Sequence, residues 1–285
     1  MARDLPIYEA KSSSILSRTS GFIAEAGFTH SLTPARNCTY GCVYCYVPTL
    51  RVFGGLKRAD WERWGQFTTF KANASELLTR ELRPHQRIYC SPLVDPYQPA
   101  EAEQRLMPEI LEAVLRRPPA VFTIQTRGPL IERDMAPLQE LSGKTILRVS
   151  FSVTTDRDDV RRFYEPHCES NMQRLEVIRR LRSAGITVHV TLAPILPCDP
   201  EALAEMALDA AGTDLIGDPL HLREVKTTGA TTREQAFRLA EAQGHLQWFD
   251  PAFQTRIVER IRRVAEAHGK KFAIGTEGFS WLAQI

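Results

Sequence analysis

An α/β fold built on a parallel sheet is what this sequence predicts, and three observations carry the prediction. From residue 75 to about residue 225, short apolar runs alternate with longer stretches of helical periodicity, the rhythm of strand–helix crossover units. One of the runs, Ile186 to Ala193, is nearly all β-branched or apolar. The chain of 285 residues, 43% hydrophobic and 25% charged, is long enough for one large domain of this class. Counting the strand ahead of the cysteine-rich loop, six units describe an open or partial (β/α)6 TIM-like barrel. Chain order alone leaves a doubly wound sheet open as well. In either arrangement ligands gather at the carboxyl ends of the strands.

Taken in order, residues 1–27 have few long apolar runs and form an extended N-terminal arm or cap. Phe28 to Thr33 alternates as a short strand, and Pro34 ends it just before the cysteines. Residues 47–72, with Gly54-Gly55 and the aromatics Trp61, Trp64, Phe67 and Phe70, form a long irregular connection with one helical turn at most. A helix then runs from Ser75 to Leu82, with Asn73 as its candidate cap. Strands follow at Arg87–Ser91, Val121–Thr126, Ile146–Val153, Ile186–Ala193 and within Leu215–Val225. Between them lie helices at Glu103–Leu115, Leu130–Leu141, Asn171–Ala184 (closed by Gly185) and Glu201–Ala211 (closed by Gly212). The rhythm breaks at Lys226. A polar loop, Thr227 to Thr232, precedes helices over Arg233–Gln243 and Gln254–His268 and a last strand over Lys271–Thr276. The expected division is an arm (1–27), a barrel (28–225) and a C-terminal, mainly helical extension packed on the barrel (226–285).

Composition narrows the function classes. No apolar run approaches the roughly 20 residues of a membrane span, so no membrane partner is expected. The N-terminus, Met1-Ala2-Arg3-Asp4-Leu5-Pro6, lacks the apolar core of a signal peptide, and the expected location is a reducing cytoplasm. A net charge of +2 does not by itself argue for nucleic acid. The recurring basic pairs, Lys57-Arg58 and Arg179-Arg180 among them, sit mostly on helices dotted with Glu and suit solvated faces.

The chemistry concentrates in Asn37-Cys38-Thr39-Tyr40-Gly41-Cys42-Val43-Tyr44-Cys45-Tyr46, where half of the six cysteines fall within eight residues as Cys-x3-Cys-x2-Cys. Three thiolates on one short loop can hold three irons of a [4Fe–4S] cube and leave the fourth with an open position. A structural zinc site is the competing explanation, and it would make this a zinc-bearing nucleic-acid-binding protein. Zinc takes four ligands, usually in two pairs, and no second pair lies nearby; His30, eight residues before Cys38, is the one candidate for a fourth. Disulfide pairing would leave one of the three thiols over.

The spacing, with an aromatic just before the last cysteine, resembles the cluster loop of the radical S-adenosylmethionine (SAM) enzymes. Tyr44-Cys45-Tyr46, together with Asp95-Pro96-Tyr97-Gln98-Pro99, resembles more narrowly the spore photoproduct lyase-like branch of that superfamily. The resemblance covers about residues 28–225 and favours the partial barrel. It implies a [4Fe–4S] cluster on Cys38, Cys42 and Cys45, SAM as second cofactor, a reductant such as flavodoxin or ferredoxin, and hydrogen abstraction from substrate by a 5′-deoxyadenosyl radical. DNA is the substrate that the branch suggests, as in repair of a thymine photolesion. A small metabolite or a peptide is the alternative.

Each strand end offers groups that a SAM pocket needs. Tyr44 presents a ring that can pack on adenine. Ser91 and Asp95 follow the second strand, where a carboxylate can accept from the methionine ammonium; Asp95 also suits a turn before Pro96. Arg127 ends the third strand, where related lyases carry a Lys that reaches the SAM carboxylate, a task an Arg does bidentately. Ser150 and Ser152 share a face of the fourth strand, within hydroxyl reach of the ribose or carboxylate. Arg174, on the following helix, is a second partner for that carboxylate or for Glu165, and Glu165 and His167 are candidate proton donors or turn residues. His221, Arg223, Glu224 and Lys226 end the sixth strand as candidate substrate contacts. In the lyases, the resemblance implies, a cysteine on the second strand returns a hydrogen atom and two tyrosines relay the radical. Cys90, Tyr44 and Tyr46 are the corresponding residues here, although a buried strand cysteine is common without any such role.

Overall fold

The structure, a computed structural model, describes residues 5–50, 61–222 and 232–285. Its strands are β1 (Ile7–Ala10), β2 (Leu16–Arg18), β3 (His30–Leu32), β4 (Ala35–Arg36), β5 (Thr68–Lys71), β6 (Arg87–Cys90), β7 (Val121–Thr126), β8 (Ile146–Ser152), β9 (Thr187–Ile195), β10 (Leu215–Pro219) and β11 (Phe272–Ile274). Eight of them form one sheet in the order β11-β10-β9-β8-β7-β6-β3-β2. All neighbours are parallel except β2 and β3. The strand order advances in one direction without reversal, which a doubly wound sheet does not do. The sheet is therefore a partial barrel, open between β2 and β11. The six predicted strands are its centre, and β11 extends it beyond β10.

The helices cover one face. Ile88, Phe122, Ile124, Val149, Phe151, Val188 and Val190 are buried in the main apolar core with Leu111, Leu138, Ile178, Leu181 and Leu203 of the crossover helices. Alternation along the strands turns Tyr89, Thr123, Gln125, Arg148, Ser150 and Ser152 to the other face, the lumen. The C-terminal segment fills one end of that lumen. Thr123 donates to the carbonyl of Leu282 at 2.8 Å and Arg148 to that of Gln284 at 2.7 Å. Phe279, Leu282 and Ala283 pack there with Phe28, Tyr89 and Ile216.

Local chemistry explains where the elements depart from the sequence pattern. The helix expected over Glu103–Leu115 is broken at Arg105, which lies in the left-handed region at φ 53°; helices Glu101–Gln104 and Leu106–Arg116 meet there. The buried Glu101 carboxylate accepts from the free backbone N–H groups of Leu106 (3.1 Å) and Met107 (2.8 Å), so it caps the second helix. The Leu130–Leu141 stretch divides into a 3-10 turn (Pro129–Asp134) and a helix (Met135–Ser142). Asn73 does not cap the helix Ala74–Glu81: its amide instead exchanges two 2.9 Å hydrogen bonds with the backbone of Ser12. Helix Asn171–Ser183 starts at a Ser170/Gln173 capping box and is followed by Gly185 at φ 80°. The irregular stretch 47–72 hides β5, whose buried Phe70 packs under a second, three-stranded sheet in the order β1-β5-β4. Helices Asp158–Tyr164 and Gly275–Ser280 were also not expected from the pattern. Among the described residues no helix is long and apolar enough to cross a membrane. Gly54, Gly55, Lys57, Arg58, Arg223, Glu224, Lys226 and most of the Thr227–Thr232 loop lie outside the described residues.

Candidate functional site

The cysteine loop leaves β4 at the carboxyl end of β3, as a ligand-bearing segment of an α/β sheet should. Its backbone is held by neutral amides. Asn37, in the left-handed region at φ 65°, accepts with Oδ1 from the N–H groups of Cys38 (2.7 Å) and Gly65 (2.9 Å). Gln98 Oε1 accepts from Thr39 N at 2.8 Å. Gly41 N and Cys45 N close turns onto the carbonyls of Cys38 and Cys42, and Val43 N bonds the carbonyl of Tyr164 at 2.9 Å. Gly65 packs directly on the loop: a Cβ there would sit 2.6 Å from the Cα of Gly41, so no side chain fits.

All three motif cysteines are free thiols, Cys38 and Cys42 buried and Cys45 half-buried. Burial raises Cys38 above the usual thiol range and pushes Cys45 up to about 12. Cys42 is lowered instead, first by a hydrogen bond from Cys168, with Arg127 and Arg174 also favouring its thiolate. Among the described residues no three His, Cys, Asp or Glu side chains already converge as a metal site. The donor set nonetheless fits an iron–sulfur cube. Three thiols lie on two successive turns of one loop, Cys42 is an electrostatic neighbour of both others, and burying three thiolates without a cation is costly. Binding iron would remove that cost.

Beside Cys42, four elements meet at Glu165. This fully buried carboxylate accepts from Arg127 Nη1 at 2.6 Å, Arg174 Nη2 at 2.6 Å, Thr154 Oγ1 at 2.8 Å and the hydroxyl of Tyr44. Burial alone would raise its pKa, but Arg174 and Arg127 outweigh it and hold the carboxyl at about 2. Arg127 also bonds the Tyr44 hydroxyl and lies 5.6 Å over its ring, a cation–π contact. Arg174 is completely buried, with a further bond to the carbonyl of Glu169. Two guanidiniums thus face one carboxylate, with Asp95 also close to Arg127 and Glu169 close to Arg174. Arg127 is the partly exposed member, at 15%.

Asp95 ties the Asp95–Pro99 loop to the end of β7. Its oxygens accept from Thr126 Oγ1 (2.6 Å), Arg127 N (2.8 Å) and Tyr97 N (2.9 Å), and burial raises its pKa. Ser91 is buried and accepts weakly from Leu93 N and Val94 N. Ser150 and Ser152 join a buried network in the lumen: Ser150 Oγ lies 2.5 Å from Thr191 Oγ1, and Gln125 Nε2 donates to Ser152 Oγ at 3.1 Å. The Tyr46 hydroxyl bonds the carbonyl of Pro92. Cys90 is fully buried on the face of β6 opposite Tyr89, in the main core with Ile88 and Ile124, and not with the lumen hydroxyls. His221 pairs with Asp218 at 3.1 Å.

The structure therefore brings Cys42, Tyr44, Arg127 and Arg174 together around Glu165, with Asp95 holding Arg127 from behind. It places Ser150 and Ser152 deeper in the lumen. Asn37 and Gln98, which hold the loop, were missed by the sequence reading. Asn37's place directly before Cys38, and Gln98's within the Asp-Pro-Tyr-Gln-Pro string, were the available signals.

The radical SAM superfamily model matches residues 32–210, well over half of the chain. An uncharacterised protein of Mycobacterium tuberculosis is 28% identical over 179 residues, covering 61% of this chain and 52% of its own length. One from Acidianus two-tailed virus is 29% identical over 212 residues, covering 68% and 67%. The chain spans about half the length of the mycobacterial relative. Among solved structures, a cysteine-to-serine variant of spore photoproduct lyase superposes with TM-score 0.64 at 15% identity, covering 94% of this chain and 81% of that one. The same lyase complexed with a dinucleoside spore photoproduct gives 0.56 at 15% identity, covering 86% and 80%. At that identity the likeness is one of fold. The cysteine loop at the carboxyl ends of a partial barrel and the family match agree: this chain belongs to the radical SAM superfamily.

Proposed function

We propose that Cys38, Cys42 and Cys45 hold a [4Fe–4S] cluster, and that the enzyme uses SAM to abstract hydrogen from a thymine photolesion in DNA. When bound, the cluster supplies the electron that cleaves SAM reductively, and enzymes of this superfamily need a reductant and a substrate for that chemistry. Loading it requires the three thiols to turn toward one another and lose their protons on a loop whose backbone Asn37 and Gln98 already fix.

The observation that carries the reading is the Glu165 hub. Its partly exposed guanidinium, Arg127, lies beside Cys42 and offers the paired donors that a SAM carboxylate takes. Arg127 has the exposure to meet it, while Arg174 holds Glu165 and Glu165 orients Arg127 and Tyr44. Ser91 and Asp95 then serve the methionine end by position, and Ser150 and Ser152 serve the ribose or the carboxylate. Return of a hydrogen atom is assigned to Cys90 with Tyr44 and Tyr46 as relay, which requires β6 to present Cys90 differently from its buried position here.

The lesion reading is supported by likeness of fold to a lyase solved with a dinucleoside photoproduct. To test it, anaerobically reconstituted protein is reduced with SAM and a deuterium-labelled, irradiated thymine dinucleotide. Deuterium is expected in 5′-deoxyadenosine and, where the tyrosine relay regenerates the cofactor, in recovered SAM. Label absent from both, while SAM cleavage continues, would reject the lesion and leave the superfamily chemistry standing.

A further inference from the structure

A basic groove lies at the other end of the barrel from the cysteine loop. It has a volume of about 420 Å³, and Arg18, His30, Arg80, Arg83, Glu81 and Gln86 are among the residues that line it. Arg18 stands on β2, the edge strand of the large sheet, directly across from His30. His30 opens β3, whereas the cysteine loop follows that strand's carboxyl end. The opposite wall is the end of helix Ala74–Glu81 and the turn after it, bearing Arg80 and Arg83.

The charges here are neither balanced nor loosely placed. Glu81, the one acid among these residues, has its carboxylate taken up by Leu16 N (2.8 Å), Ile15 N (3.2 Å) and Ser14 Oγ (3.0 Å). Those bonds staple the arm to the helix and fix the distance between the two walls. Arg83 gives Nη1 to the carbonyls of Arg80 and Leu82, both at 2.7 Å, which sets its position without neutralising it. Among the described residues Arg18 and Arg83 have no carboxylate partner, and Arg80 has only a solvent-exposed contact with Glu76 at 3.6 Å. Burial and then the charge of Arg18 push His30 below its usual pKa, in keeping with a locally positive field.

Three arginines on two walls of an open, polar groove suit a run of phosphates better than an enclosed metabolite, which calls for an apolar, deeper pocket. We propose that this groove binds the sugar–phosphate backbone of a nucleic acid, as an anchoring site separate from the reaction centre. Arginine forks contact successive phosphates, and the affinity is electrostatic and without sequence preference. The inference concerns binding alone and does not depend on which substrate is cleaved.

The test is fluorescence anisotropy of the full chain with a labelled duplex DNA of about 20 base pairs over a salt series. The wild-type protein is expected to bind with a steep salt dependence. The double variant Arg18→Glu/Arg83→Glu should bind at least tenfold more weakly at low salt, with the slope of log K against log salt reduced by about two. Arg18→Gln/Arg83→Gln, which keeps amide donors at both places, should fall between them and controls for disturbance of the helix end. Reductive cleavage of SAM should be unchanged in both variants, which separates failure of this site from failure of the radical chemistry. Unchanged affinity and slope in folded variants would overturn the proposal. So would absence of DNA binding, or displacement of the DNA by low-millimolar inorganic phosphate.

Discussion

Replacing Cys42 by alanine is expected to abolish both the brown iron–sulfur chromophore and the reductive cleavage of SAM. Cys42 is the middle thiol of the motif, the one in electrostatic contact with Cys38, Cys45 and Cys168 together. Removing it leaves two sulfurs on the loop, too few to hold three irons of a cube. The loss should therefore be complete rather than graded. Iron and sulfide analysis after anaerobic reconstitution would read near zero, and no 5′-deoxyadenosine would form. The fold should survive, because the loop is held by Asn37, Gln98 and backbone bonds rather than by the Cys42 side chain. A Cys168→Ser variant is the control: it removes the neighbour that hydrogen-bonds Cys42 but no motif ligand, and should keep the chromophore.

The second large effect is on stability. Glu165→Gln leaves Arg174, which is completely buried, facing a neutral amide, and strips Arg127 of its carboxylate. Breaking one side of a buried ion pair costs about 3–5 kcal/mol, because the surviving charge stays desolvated. For a chain of this size that is a fall in melting temperature of about 10 °C. The same pair makes the wild-type protein sensitive to acid. The carboxyl of Glu165 lies at about 2 in the folded protein against an ordinary 4.5, so the folded state binds this proton less readily than the unfolded chain does. Its contribution is complete above about pH 4.5 and is lost as pH falls toward about 2. The gap in melting temperature between wild type and variant should narrow steadily from about pH 4.5 down to pH 3, closing only near pH 2. A gap that stays constant across that window would remove Glu165 from the role given to it.

Much of the fold was legible because crossover units are long and repetitive. Six strands and their covering helices can be placed from apolar runs and from glycine stops such as Gly185 and Gly212, whereas the caps at Ser170 and Asp199 were seen only in the structure. β1, β2, β4 and β5 were not legible: they lie ahead of the strand–helix rhythm that begins at residue 75, and their pairing is decided by contacts between distant segments. The break at Arg105 depends on where Glu101 points its carboxylate, which propensity does not report. The site divides in the same way. The cysteine spacing is local and was visible at once. The Glu165 hub unites Tyr44, Arg127, Thr154 and Arg174 across 130 residues of chain, so Tyr44, Arg127 and Arg174 stood as separate candidates for SAM and Thr154 was not among them. Cys90 shows the limit of position in a strand: its place near the end of β6 suggests reactivity, while the alternation anchored by Tyr89 sends it toward the helices.

The most direct measurement is the electron paramagnetic resonance spectrum of the reduced, anaerobically reconstituted protein before and after SAM is added. A cube held by Cys38, Cys42 and Cys45 alone has one iron without a protein ligand. The spectrum should be that of a [4Fe–4S] cluster and should change when SAM occupies that iron. A cluster spectrum indifferent to saturating SAM, or a colourless protein carrying one tightly bound zinc, would contradict the account.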